Sequence, residues 1–232
     1  PCNFVIVTTQ RSGSRFVIDM LRSHGPDVKS EGEVLLADEK GRRVAGPAVE
    51  ERLRRFYLDG PDGVTKGFKA VGRRQWEGYA KYFAKHGVRV IFLWRRNKVR
   101  HMVSLISMQW KSSHPRTEGE LKDVRSFRPT LPTGSDFDHL FDQWADEEAA
   151  AEREYGHLPH IKVHYEDIVA TSPGCGDEWK RILGFLGVSL RPLSTHYPAI
   201  HQFMRLNETM SNWPEVRRHM ESSPSYARLL EM

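Results

Sequence analysis

The stretch T-T-Q-R-S-G-S-R-F, Thr8 to Phe16, decides the fold. Ahead of it Phe4-Val5-Ile6-Val7 is a short apolar, β-branched run of the kind that forms a buried parallel strand. Behind it Phe16, Val17, Met20 and Leu21 recur at helical spacing. The stretch is therefore a strand-to-helix turn, and its composition suits a phosphate. Gly13 lets backbone come close to a ligand, and Ser12 and Ser14 offer hydroxyls. Arg11 adds a fixed charge with a planar fork of donors, and the first free N–H groups of the helix point at whatever sits there. Taken alone, the turn fits an ordinary Ser-rich N-cap equally well.

Working outward, strand and helix patterns alternate. The first helix is expected to end near His24-Gly25-Pro26, followed by an acidic segment, Ser30-Glu31-Gly32-Glu33, that leads into Val34-Leu35-Leu36. Residues 48 to 58 read as an amphipathic helix with Val49, Leu53, Phe56 and Tyr57 on one face. Val64 to Val71 reads as a strand carrying Lys66 and Lys69, and an aromatic-rich helix is expected from Gln75 to His86, closed by Gly87. Val88 to Trp94, V-R-V-I-F-L-W, is the strongest buried-strand pattern in the chain. This alternation predicts an α/β fold with a mostly parallel central sheet flanked by helices.

Arg95-Arg96-Asn97 stands at the end of that last strand, where open α/β sheets place their ligands. The helix after it presents Val99, Met102, Val103, Ile106 and Trp110 to a core, with Arg100, His101 and Ser104 expected together on a more polar side. A nucleotide-hydrolysing P-loop protein would end such a strand in a magnesium-holding Asp and read G-x-x-x-x-G-K-[ST] at the first turn. This chain has neither, which suggests a second anionic group gripped directly by side chains.

The chain's 232 residues, 39% hydrophobic and 28% charged, allow one domain, residues 1–232, with a substantial core. The net charge of +5 favours anionic ligands, though a modest basic excess is commonly just a solvated surface. Cys2 and Cys175 are too few for a disulfide framework, have no metal-ligand spacing and read as free thiols. No apolar run is long enough for a transmembrane helix or a signal-peptide core. The chain starts at Pro1 with a strand almost at once, as a trimmed fragment would, so a preceding anchor or targeting segment, and with it cytoplasm or Golgi lumen, stays open. Residues 112 to 135 are Pro-, Ser- and charge-rich without periodicity and read as an irregular loop, a candidate acceptor-side lid. From Asp136 to Glu154 an acidic helix is expected to bury Phe137, Leu140, Phe141, Trp144 and Ala145, and its charge argues against a continuous groove for nucleic acid. His157, His160 and His164 have no supporting Cys or acid pattern and read as ordinary surface histidines. A further amphipathic helix spans residues 176 to 187 around Trp179, Ile182, Leu183 and Leu186, and Pro214 marks a late helix start.

Two motifs in this order, each after a buried strand, carry a resemblance. Gln10-Arg11-Ser12-Gly13-Ser14, with Arg96-Asn97 and Ser104 eight residues after the arginine, resembles the cofactor signature of sulfotransferases that use 3′-phosphoadenosine-5′-phosphosulfate (PAPS). In motif style it is similar to the tyrosylprotein and Golgi-type enzymes and to the bacterial nodulation-factor and trehalose sulfotransferases. The resemblance implies a P-loop-type three-layer fold in which Arg11, Ser12, Gly13, Ser14, Arg15 and Phe16 hold the 5′-phosphosulfate, and Arg96 and Ser104 grip the 3′-phosphate. Ser30-Glu31-Gly32-Glu33 falls where such enzymes place a G-E element whose glutamate is the general base. Glu33 is the better match and Glu31 stays open. Gly67-Phe68-Lys69, with Gln75 after it, looks like a G-F-K element of the bacterial branch. Lys69, or else Lys66, is then expected to approach the transferring sulfuryl group. Val163-His164-Tyr165-Glu166-Asp167 looks like a strand end whose tyrosine reaches the 3′-phosphate, and Ser211-Asn212-Trp213 is similar to a segment that closes over the nucleotide.

On this reading PAPS is the donor, 3′-phosphoadenosine-5′-phosphate (PAP) the product, and a hydroxyl-bearing molecule, or an amine, the acceptor. No metal is expected, because arginines supply the positive charge, and no nucleic-acid partner. Saccharide, lipid, peptide tyrosine and small alcohol all remain open as acceptors. A divergent P-loop nucleotide kinase, or a non-catalytic nucleotide or nucleic-acid binding module, is the alternative.

Overall fold

The computed structural model describes residues 2–35, 47–58, 63–110, 126–170, 176–195 and 205–230. Much of the expected lid, residues 112–125, and Cys175 lie outside these residues, as does the side chain of Trp110. The chain forms two compact units, Pro1–Trp94 with Glu147–Tyr197 and Arg95–Asp146 with Pro198–Met232.

The first unit is a parallel sheet of five strands, β1 (Asn3–Thr8), β2 (Val28–Glu31), β3 (Thr65–Val71), β4 (Arg89–Trp94) and β5 (His160–His164), in the order β2-β3-β1-β4-β5. All pairs being parallel, every strand ends on the same edge of the sheet. Alternation of side chains gives the sheet two apolar faces. Val5, Val7, Phe68, Ala70, Val90, Phe92 and Trp94 point to one face, covered by α2 (Pro47–Leu58), α3 (Arg73–Trp76), α4 (Ala80–Lys85) and the end of the helix that runs to Tyr155. α1 (Ser14–Arg22) lies on the other face, where the Ser30 hydroxyl of β2 donates to the carbonyl of Ile18. The result is the P-loop-type three-layer α/β architecture.

The expected elements fall within a residue or two of their places, with one break. Instead of one helix from Gln75 to His86 there are two short ones, α3 and α4, because Gly78 takes φ 93° and stops the run. The helix around Trp179 is α8 (Asp177–Leu186), following α7 (Tyr165–Val169), and it buries all four residues expected to face inward.

In the second unit α5 (Lys98–Trp110) and the first part of α6 (Ser135–Tyr155) pack with α9 (Leu206–Thr209), α10 (Trp213–Glu221) and α11 (Pro224–Ala227). Val99, Met102, Val103, Phe137, Phe141, Trp144, Val216 and Met220 make its core. Two side chains depart from expectation. His101 is fully buried, its ring stacked on Trp144 at 4.0 Å between centroids, so only Arg100 and Ser104 remain on the half-exposed side of α5. Ala145 is exposed, because past Trp144 the buried stripe of α6 resumes only at Ala151 and Tyr155, in the first unit.

Candidate functional site

The turn after β1 is held from below. The Thr8 hydroxyl donates to the carbonyl of Leu93 at 2.8 Å, tying β1 to β4, and the buried hydroxyls of Thr9 and Ser12 meet at 2.6 Å across the turn. Ser12 therefore braces the loop from inside. Arg11 has φ 63°, the one non-glycine with positive φ among the described residues, and Gly13 follows at φ 89° as the N-cap of α1. A non-glycine residue held at such an angle stores strain of about 1–3 kcal/mol. A glycine N-cap brings no side chain to the first-turn N–H groups, which is the arrangement that receives an anion.

Tyr165 closes this loop on one side. A Cβ on Gly13 would lie 2.1 Å from Cδ2 of the Tyr165 ring, so the backbone runs close against the Cδ2–Cε2 side of that ring. The same ring meets Phe16 edge-on at 6.0 Å, and Phe16 also contacts Trp179. The Phe16 side chain is thus core, whereas the Arg15 side chain is exposed and Arg11 half-exposed.

The acidic segment after β2 carries the second feature. Glu33 Oε1 is 2.9 Å from Lys69 Nζ, and Glu33 Oε2 accepts from Gln75 Nε2 at 3.0 Å. Gln75 is itself held, since Val71 N–H donates to its Oε1 at 2.9 Å. Glu31 lies elsewhere, its carboxylate 3.4 Å from Lys29 with both side chains about half-exposed. Lys66 is ruled out as the lysine of this group. It is buried, and its ammonium donates to the carbonyl of Tyr57 near the end of α2 at 3.1 Å. Gly67 of the G-F-K element has a packing reason of its own, because a Cβ there would lie 2.3 Å from the Phe4 ring.

In the second unit, Asn97 caps α5 by accepting from Arg100 N–H at 3.0 Å. Arg96 is exposed just before the cap, and Ser104 is half-exposed two turns on, one turn beyond Arg100. The 211–213 segment is bound to its own unit. The Ser211 hydroxyl meets that of Thr130 at 2.7 Å, and Asn212 pairs with the backbone of Leu131 through both amide atoms, each at 2.9 Å. Trp213 opens α10 and is half-exposed.

Among the expected histidines, His160 lies half-buried against Phe92 with Nδ1 2.9 Å from the carbonyl of Leu158. His164 faces Asp167 at 3.8 Å. Among the described residues no group of three His, Cys, Asp or Glu is placed to hold a metal, and no helix is long and apolar enough to cross a membrane. Sequence reasoning missed three things: the Asn97 cap in the second unit, and in the first the Tyr165 ring against Gly13 and the two-sided hold on Glu33. Only the first had a local signal, an asparagine immediately before a helical pattern.

No protein-family model matches this sequence, and no curated protein matches it. Among solved structures the fold is similar to a sulfotransferase from Alicyclobacillus acidocaldarius, with a TM-score of 0.51. That likeness covers 100% of this chain and 94% of the other at 16% identity, and at that identity it speaks for the fold alone.

Proposed function

We propose that this protein is a sulfotransferase that takes a sulfuryl group from PAPS and passes it to a hydroxyl, or an amine, of an acceptor. One observation carries the reading. The strained loop 11–16 follows β1, Glu33 follows β2, and Lys69 and Gln75 stand at the end of β3, so an anion-receiving turn and a held carboxylate share the carboxyl edge of three adjacent parallel strands. The fold similarity to a sulfotransferase supports it.

The loop fits an anionic donor: its N-cap is a glycine, Arg11 stands within it, and the Tyr165 ring flanks it. Arg11 and the N–H groups of residues 13 to 16 stabilise the charge that develops on the departing phosphate. Arg96 and Ser104 offer the donors for the 3′-phosphate, and Tyr165 and the segment Ser211 to Trp213 are further candidates for contact with the nucleotide. Glu33 takes the proton of the acceptor as its oxygen bonds to sulfur and the sulfur–oxygen bond to the phosphate breaks, a role worth about 10²–10⁴-fold. Lys69 neutralises Glu33 and has the sulfuryl oxygens as its second anionic partner. PAPS supplies the activated sulfuryl group and leaves as PAP.

Calorimetric titration with PAP, ADP and ATP, with and without magnesium, on wild type and Arg96→Ala tests this. Magnesium-independent binding that prefers PAP and collapses in the variant is the expected result. A preference for ATP with magnesium, as for a kinase, or the absence of nucleotide binding by folded protein, overturns the proposal.

A further inference from the structure

Glu33 has one partner on each oxygen, and the two differ in kind. Lys69 reaches Oε1 through a long, rotatable side chain, which is free to follow a second anion. Gln75 is different. The N–H of Val71 can only donate, so the atom it meets must be the amide oxygen, and the amide nitrogen is thereby turned toward Glu33 Oε2. The chain from the Val71 backbone through the Gln75 amide to the carboxylate thus has a fixed direction and a fixed anchor.

We propose that Gln75 is the positioning residue for Glu33, fixing the plane of the carboxylate so that it keeps its aim when Lys69 turns to the donor. This rests on the reading of Glu33 as the base. A glutamate on the bend after β2, held by Lys69 alone, would swing once that ion pair opened. With Gln75 in place one oxygen stays pinned and the other is left to receive the proton of the acceptor. On this reading Gln75 acts on the reaction only through Glu33.

The test follows conversion of PAPS to PAP by the whole chain, in water and with a panel of sugars, phenols, alcohols and amines. It compares wild type with Gln75→Ala, Gln75→Glu, Glu33→Gln, and each Gln75 variant combined with Glu33→Gln. Gln75→Ala is expected to lower kcat about 10–100-fold while donor KM stays within about twofold, the mark of lost alignment rather than lost binding. In the Glu33→Gln background the same change is expected to have no further effect, because its target is gone. Gln75→Glu keeps the bond from Val71 but faces Glu33 with a second carboxylate, so it is expected to lose at least as much rate. Combined with Glu33→Gln it restores the hydrogen bond with the roles reversed, recovering the melting temperature of wild type but not its kcat. If Gln75→Ala does not fold, Gln75→Glu carries the test.

An equal loss from Gln75→Ala in both backgrounds would show a merely structural role and overturn the inference. So would wild-type kcat in a folded Gln75 variant while Glu33→Gln is slow, which leaves the base reading intact. Full activity in Glu33→Gln, or no PAPS turnover by wild type under any condition, overturns the base reading and this inference with it.

Discussion

Replacing Gly13 with alanine probes the loop at the point where two constraints meet. The backbone there has φ 89°, and the new methyl would sit 2.1 Å from the Tyr165 ring. Holding a residue with a Cβ in the left-handed region costs about 1–2 kcal/mol. The ring must also move, which forfeits its edge-on contact with Phe16, worth about 0.5–1.5 kcal/mol. The sum is about 1.5–3.5 kcal/mol. For a chain of this size each kcal/mol lowers the melting temperature by about 2–4 °C, so Gly13→Ala should melt roughly 3–14 °C below wild type. A thermal cycle with Tyr165→Ala separates the two causes. Removing the ring first leaves only the backbone strain, so the double variant should be more stable than the sum of the singles by about 1 kcal/mol. Gly13→Ala melting within about 1 °C of wild type, or strict additivity, would refute the placement of that ring over the loop.

Lys66→Met and Lys69→Met, three residues apart, should behave oppositely. The first loses the bond to Tyr57 and lowers the melting temperature with PAP affinity kept. The second leaves the melting temperature near wild type and slows PAPS turnover, and equal melting temperatures for the two would contradict their placement. Asn212→Ala removes two bonds to the Leu131 backbone at about 1 kcal/mol each, so exchange of the Leu131 amide hydrogen should quicken by roughly tenfold or more. Unchanged protection at that amide would count against the clamp. Burial raises the Glu147 carboxyl above its ordinary 4.5, with the charge of Arg73 pulling the other way. The folded state then holds this proton more tightly than the unfolded one, so stability falls as pH rises from the ordinary value through the raised one and stays lower above it. Glu147→Gln should therefore melt higher than wild type at about pH 7 and no differently below about pH 4, and a gain of equal size at both would sink that account.

Elements whose signal is local were legible in the sequence. β1 and β4 are uninterrupted buried runs, α1 and α8 have apolar positions at helical spacing, and Gly25 with Pro26 stops the chain after α1. Features that depend on distant residues were not. The periodic aromatics from Trp76 to Phe83 suggested one helix, but Gly78 breaks it and turns its N–H to the carboxylate of Glu154. His101 looked polar on α5 because its partner, Trp144, lies more than forty residues away. Likewise nothing near Gly13 announced that its missing side chain makes room for Tyr165.

The choice of site residues turns on strand parity and on one bend. In a strand, residues three apart face opposite sides, so Lys66 and Lys69 could never both serve one site, a distinction available from the sequence once β3 was drawn. The register says which side each takes. Lys66 pairs with Lys29 and faces α2, whereas Lys69 falls on the side of Gly67 and Phe4. Parity does not separate Glu31 from Glu33, which are two apart. Continued as a strand, β2 would set Gly32 opposite Lys69 and Glu33 opposite Ala70, sending the Glu33 side chain to the α2 face with Ala70. The ladder does run one step further, Lys69 N–H donating to the carbonyl of Gly32, and then the chain bends. That bend carries Glu33 across to the face of Lys69, while Val34 and Leu35 return to the core beside α2. Glu31, one residue before the bend, keeps the parity of the strand and stays with Lys29. A strand one residue longer would bring Glu33 to the wrong face, so it is the place where β2 ends that selects the acid.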